Sequence, residues 1–403
     1  MRLLAGETEV KVAADPQGEA AALIFRTVTD PFVGQLSLFK VISGTVRNDM
    51  RLVNATTGTE ERLHGLFHLR GKEHLNTAEV VAGDIAAAPK LADSPTGSVL
   101  AASKVPYRFP GLTPRPTPFG LALEPVTQAD DDKLSGSLAK LVAEDPTLRV
   151  ERVGEAGSGQ TVLRGLGDVH VQVALEKLAR KFGVHVTTSP VKVAYRETIS
   201  RPAEAEGRLK KQSGGHGQFA VAQLRLSPRG RGEGISFKDS IVGGAIPRNF
   251  IPAVERGARE ALAAGGPHGF EVVDVEIECF DGKFHSVDSS EMAFRTAAAL
   301  GVKEALAKAG TTVLEPVSRV VIKVPVAQQG DVMGDLSSRR GRIASTTNEG
   351  NVCEIEALVP ESELARYVAD LRSLTGGHGA FEAEFSHYEP LPEHLASKLA
   401  PTP

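Results

Sequence analysis

The stretch Asp281-Gly-Lys-Phe-His-Ser-Val-Asp-Ser-Ser-Glu-Met292 joins an apolar, strand-like run ending near Phe280 to a helical pattern beginning near Ser289. An apolar run, a polar turn and a period-3.6 stripe in succession read as the strand, turn and helix of an α/β module. Asp288 and Glu291 have Asp-x-x-Glu spacing, which predicts a capping box: Asp288 accepts from the first helical amides and Glu291 reaches back. His285 then stands as a lone imidazole on a rigid stem. The plain alternative is a well-capped loop whose histidine has no role. His285, Asp288 and Ser289 also make up a Ser/His/Asp set, but Ser289 is expected to open a helix beside its own cap, and no G-x-S-x-G elbow occurs elsewhere.

Around this stretch, residues 191–313 form one module. Segments 221–226 and 272–279 read as strands; Ile251, Val254, Ala258 and Leu262 stripe one helix, and Phe294, Ala298, Val302 and Ala305 another. The module carries a local charge. From Arg196 to Arg231 there are eight basic residues (196, 201, 208, 210, 211, 225, 229, 231) against three acidic ones (197, 204, 206), an excess of five. Such a stripe reads as a phosphate-facing surface, with an ordinary solvated face as the alternative. Within it, Lys210-Lys-Gln-Ser-Gly-Gly-His-Gly-Gln218 is a glycine-rich loop with a basic approach, able to bring backbone amides close to phosphate. It is not a P-loop: no G-x-x-x-x-G-K-[ST] occurs in the chain.

Two smaller units flank this module. In residues 119–190, helical stripes (Leu134, Leu138, Leu141, Val142; Leu175, Leu178, Ala179, Phe182) alternate with strand-like segments in the order βαββαβ, a split βαβ sandwich. The same order recurs in residues 314–389, where Arg339-Arg340 close a helix and are expected to complement its dipole. Residues 1–104 show short strands and turns suited to a small barrel, with Leu36, Leu38 and Ile42 on one strand face. Five prolines between residues 105 and 118 mark a semi-rigid linker, and residues 390–403 a tail. The expected fold is therefore multidomain: an N-terminal β-barrel followed by three α/β modules, two of them ferredoxin-like.

Length and composition agree. At 403 residues the chain exceeds the roughly 250–300 at which a single core stops growing. No apolar run is long enough to span a bilayer, the N-terminus lacks a secretory pattern, and two cysteines form neither a disulfide framework nor a metal pattern. His64, His68 and His74 lack the Cys, Asp or Glu neighbours that would complete a zinc set. A cytoplasmic, monomeric protein with no membrane partner is expected. The net charge of -4 argues against coating nucleic acid through overall basicity, though not against a local patch.

Several segments together resemble translation elongation factor G. They are Asp30-Pro-Phe-Val-Gly34, Ala194-Tyr-Arg-Glu-Thr198, Lys211-Gln-Ser-Gly-Gly215, Gly243-Gly-Ala-Ile-Pro247, Phe250-Ile-Pro-Ala-Val254, His285-Ser-Val-Asp-Ser-Ser-Glu-Met-Ala-Phe294, Leu314-Glu-Pro316, Gly330-Asp-Val-Met-Gly-Asp-Leu336 and Leu371-Arg-Ser373. The resemblance covers domains II to V and not the family's N-terminal GTPase domain, so the chain is expected to be the portion of a factor that lacks its motor. It implies that domain IV enters the decoding centre of the small ribosomal subunit. Its RNA-facing tip would comprise Lys210, Lys211, Ser213, Gly214, Gly215, His216, Gly217, Gln218, Asp281, His285 and Asp288. Domain V would meet large-subunit rRNA through Arg372, Ser373, Gly376, Gly377 and His378. GTP and Mg²⁺ are implied only for the GTPase domain, and no catalytic residue or metal ligand for this chain.

The sequence also departs from the family. His216 and His378 stand where the family commonly has Arg, Phe219 and Phe284 where it has Tyr, and Asp168-Val169 where it has Glu-Leu. Arginine is permanently charged, whereas histidine is largely neutral near pH 7, so two RNA-facing loops lose a fixed cation. A specialised paralogue, with ribosome affinity more sensitive to pH, is the expectation. The alternatives are a recycling or ribosome-protection paralogue, a plain RNA-binding protein, and a hydrolase using His285.

Overall fold

A computed structural model describes the chain except residues 6–7, 31–32, 72, 92, 103–106, 111–115, 155–158, 212–216 and 400–403. The chain divides into two compact units, Met1–Val191 and Lys192–Pro403. Among the described residues, no helix is long and apolar enough to cross a membrane.

The first unit begins with strands Arg2–Ala5 and Thr8–Lys11, which form a three-stranded sheet with Tyr107–Arg108, and continues into an eight-stranded antiparallel sheet whose central strands are Ala21–Asp30 and Gly34–Ser43. Both faces of Gly34–Ser43 are covered. Phe39 and Val41 join the core with Ile24, Leu52, Leu63 and Leu100, while Leu36 packs with Phe67 and Ala87. Leu38 packs against the same cluster as Leu36, and Ile42 falls in a third cluster with Leu3, Val12 and Val99, so the face expected for Leu36, Leu38 and Ile42 lies away from Phe39 and Val41 and is divided between two clusters. A strand buried on both faces reads as a near-continuous apolar run, which hides its alternation.

The rest of the unit runs Phe119–Pro125, helix Gln128–Glu144, Arg149–Val153, Gln160–Gly165, helix Asp168–Phe182 and Val186–Pro190, in the β-α-β-β-α-β order read from the sequence. Thr127 and Asp130 cap the first helix reciprocally, and Leu134, Leu138 and Leu141 face the sheet. Gly183, at φ 64°, ends the second helix.

In the second unit, strands Ala203–Lys211, Gln218–Pro228, Val275–Lys283 and Ser236–Asp239 lie side by side in that order. Helices Ile251–Ala263 and Glu291–Ala309 cover one face. Ala205, Leu209, Ala220, Ala222, Leu224, Leu226, Ile277 and Cys279 point inward to meet them. Two glycines set the approach. A Cβ on Gly207 would lie 1.9 Å from the Ala297 carbonyl oxygen, and one on Gly257 2.1 Å from that of Arg295.

The 15-residue strand Thr311–Pro325 then serves both halves of this unit. Residues 311–314 pair with Arg196–Ile199, 314–323 with Ala380–Pro390, and 317–325 with Val352–Pro360. Helix Gln329–Ser338, strand Arg342–Glu349 and two short helices, Glu361–Leu364 and Tyr367–Leu374, complete it. Leu364, Tyr367, Val368 and Leu371 have the spacing of a single helix, which the structure divides into these two. The Glu363 carbonyl, next to the break between the two helices, accepts from Arg339 Nη1 at 3.1 Å.

Arg339 and Arg340 also correct the dipole expectation. Arg339 binds the Asp335 and Asp370 carboxylates and lies over the Tyr367 ring. Arg340, at φ 59°, grips Glu315 with both Nη atoms, at 2.5 and 2.9 Å, and reaches Glu363. Glu315 is buried, so its charge requires such a partner.

Candidate nucleic-acid interface

The strand Val275–Lys283 continues three residues beyond the predicted end at Phe280, because Gly282 pairs with Ala222 and Lys283 with Val221. Gly282 is needed there, since a Cβ would meet the Val221 carbonyl oxygen at 2.4 Å. The register shifts between Gln223 and Leu224, opposite Phe280, which places Asp281 beside Gln223.

Residues 284–290 form the turn carrying His285, but the capping box predicted for Asp288 and Glu291 is absent. The helix begins at Glu291, and Ser290 is its N-cap, accepting from the Ala293 amide. Asp288 is used elsewhere: its Oδ1 accepts from the Gly217 N–H at 3.1 Å, and its Oδ2 lies 3.2 Å from His285 Nδ1. Ser289 bridges two loops. Its Oγ accepts from the His285 N–H at 2.9 Å and donates to the Phe219 carbonyl at 2.7 Å, while the Phe219 N–H donates to the Asp288 carbonyl at 2.9 Å.

The rigid mount expected for His285 is therefore present through a different device: a latch to the backbone of 217–219. The ring is exposed, with Nδ1 turned toward the amides of Val287 and Asp288 and its edge toward Phe219. Phe284, Val287 and Met292 are exposed nearby in the sequence. The hydrolase alternative loses its support here, because the Ser289 hydroxyl is committed to backbone groups rather than bonded to the imidazole.

The basic stripe divides in two. Arg196 lies over the Tyr388 ring and faces Glu271, Arg201 donates to the Lys308 carbonyl, and Arg229 binds the carbonyls of Glu233 and Gly234. Arg225 belongs to a row of alternating charge across four strands: Glu204, Arg225, Glu278 and Lys238, with contacts of 2.7, 2.7 and 2.9 Å. Lys238, then Ser240 and Arg225, hold the Glu278 carboxyl far down, at about 2. These four cations serve the fold.

Arg208, Lys210, Lys211 and Arg231 remain exposed, with no ion-pair partner among the described residues. Lys283, also exposed, joins them through the register Arg208–Val221–Lys283. Counting charges along the chain missed Lys283. The signal lay in its position, opposite Arg208 once the strands are paired.

Of the predicted tip residues, Lys210, Lys211, Gly217, Gln218, Asp281, His285 and Asp288 are thus collected on three adjacent strands and their turn. Ser213, Gly214, Gly215 and His216 lie outside the described residues. Arg372, Ser373, Gly376, Gly377 and His378 lie apart from that tip in the sequence, at the end of helix Tyr367–Leu374 and in the turn that follows it. Gly376 and Gly377, at φ 57° and 87°, turn the chain after helix Tyr367–Leu374, and the Gly377 N–H donates to the Arg372 carbonyl at 2.8 Å. Buried Thr375 fixes the turn by accepting from the Gly379 N–H and donating to the Leu371 carbonyl, each at 2.7 Å. Among the described residues no three His, Cys, Asp or Glu side chains gather as metal ligands. His64 faces Asp49, His68 the Ile85 carbonyl, and His74 stacks on Phe67.

These features define a multidomain protein of one large β sheet and three mixed α/β modules, with an exposed turn at 284–290 beside cations that have no ion-pair partner among the described residues. Comparison with known proteins gives the family. The chain matches elongation factor G domain 2 over residues 19–102, domain III over 113–190, domain IV over 191–310 and the elongation factor G C-terminus over 312–399. It belongs to the elongation factor G family, of which it carries domains II to V. A crystal structure of a Thermus thermophilus protein is similar over 95% of this chain, with 37% identity and a TM-score of 0.80. The chain spans 57% of that protein's length.

Proposed function

We propose that this chain is the ribosome-binding part of an elongation factor G-like protein, acting in tRNA–mRNA translocation when joined to a GTPase domain. GTP and Mg²⁺ would be held by that domain, for this chain has no P-loop sequence. In this reading the N-terminal module is a β-barrel, the two βαββαβ modules are ferredoxin-like, and the factor works as a cytoplasmic monomer. The turn of 284–290 is the part that reaches the tRNA–mRNA duplex, and the turn after helix Tyr367–Leu374 faces large-subunit rRNA.

The observation that carries the reading is the latch. A solvent-facing imidazole is fixed by backbone hydrogen bonds of a loop 70 residues away, beside cations with no ion-pair partner among the described residues. Such a part can push on or steer a nucleic acid without breaking a bond, because force passes through the latch to the sheet and its two helices. The test is His285→Ala in the chain joined to its GTPase domain. Slower tRNA movement with GTP hydrolysis retained is the expected result, and unchanged movement would overturn it.

A further inference from the structure

The outer face of the sheet in residues 203–283, opposite its two helices, is divided by charge along the strands. Nearest the base, the Glu204–Arg225–Glu278–Lys238 row is self-neutralised. The next row, Glu206–Gln223–Asp281, is acidic. The last two rows, Arg208–Val221–Lys283 and Lys210–Phe219, carry three cations and no carboxylate. Val221 lies outside the helix-facing core yet is only 2% exposed. It is flanked in register by two long basic side chains, whose stems can cover it while their charged ends stay in water. The Phe219 ring meets the His285 ring edge-on at 6.4 Å, so this platform is continuous with the tip turn.

Resting on the RNA-facing reading of the tip, we infer that these two rows are a second contact, taking the sugar-phosphate backbone of a single RNA strand across the sheet. Arg208, Lys210 and Lys283 meet phosphates, and Phe219 offers an apolar surface for a base. The charge pattern sets the class of ligand. Successive rows are about 7 Å apart, so the acidic row closes the positive area within one step and leaves space for a few nucleotides of one strand. A duplex laid on the face would carry its second backbone over Glu206 and Asp281.

The test uses the whole chain and three variants: Arg208→Gln with Lys283→Gln on the face, Lys211→Gln with His285→Ala at the tip, and Lys238→Gln in the neutral row. Binding of a labelled short oligouridine and of small ribosomal subunits is followed as salt is raised, with folding checked by circular dichroism. The face variant is expected to lose about 1.4 from the logarithmic salt slope for oligouridine, since each single-strand phosphate contact contributes about 0.7. The Lys238 variant should keep the slope of the unmodified chain. A face variant with an unchanged slope overturns the inference. If the tip variant alone weakens subunit binding, the tip reading survives and the platform falls. If the face variant loses oligouridine while the tip variant keeps subunit binding, the platform stands and the tip reading falls.

Discussion

Replacing Ser289 with alanine removes the hydroxyl that closes the latch. It deletes two hydrogen bonds, from the His285 N–H at 2.9 Å and to the Phe219 carbonyl at 2.7 Å. Each contributes about 1 kcal/mol net. Water can reach part of this site, so local opening of the turn should become easier by roughly 1–2 kcal/mol, a 5- to 30-fold rise in the open population. The bonds from the Phe219 N–H to the Asp288 carbonyl and from the Gly217 N–H to Asp288 Oδ1 remain, which limits the effect to the turn. Hydrogen–deuterium exchange is the assay. Amides of residues 285–289 should exchange faster by that factor, with helix Glu291–Ala309 unchanged. Exchange within twofold of the unmodified chain would refute the latch, and equal acceleration throughout the unit would show that Ser289 supports the fold rather than the turn.

Other consequences follow from the same contacts. Ser290→Ala removes the N-cap of helix Glu291–Ala309 and should cost about 1 kcal/mol in urea unfolding, whereas Glu291→Gln, which the sequence-derived capping box makes equivalent, should cost far less. Gly207→Ala puts a methyl 1.9 Å from the Ala297 carbonyl, a backbone atom that cannot rotate away, and should destabilise this unit by about 3 kcal/mol; a loss below about 1 kcal/mol would contradict the packing. Glu278 keeps its charge down to about 2 in the folded chain against an ordinary 4.5, so its stabilisation is complete above about 4.5 and fades as pH falls toward 2. Urea midpoints measured from pH 5 to pH 2.5 should fall less steeply for Glu278→Gln than for the unmodified chain, and parallel curves would dismiss the charged row.

Local rules decide what can be read along one chain. Leu134, Leu138 and Leu141 announce their helix because the period that buries them lies within a single turn-by-turn repeat, and Gly183 ends its helix because αL geometry suits a residue without Cβ. The βαββαβ order of residues 119–190 and the motifs that resemble elongation factor G were legible for the same reason. The sequence also located His285 in an exposed turn before a helix. Tertiary structure alone decided what holds that turn. Asp288 is a capping residue by spacing, yet its carboxylate meets the Gly217 amide, 71 positions away, and Ser290 takes the cap. Likewise Arg225 is absorbed by Glu204 and Glu278, Arg340 by Glu315, and Lys283 joins Arg208, because strand register places side chains opposite partners that sequence distance does not reveal. A charged side chain takes the strongest partner within a few ångströms, and folding, not spacing along the chain, determines which partner that is.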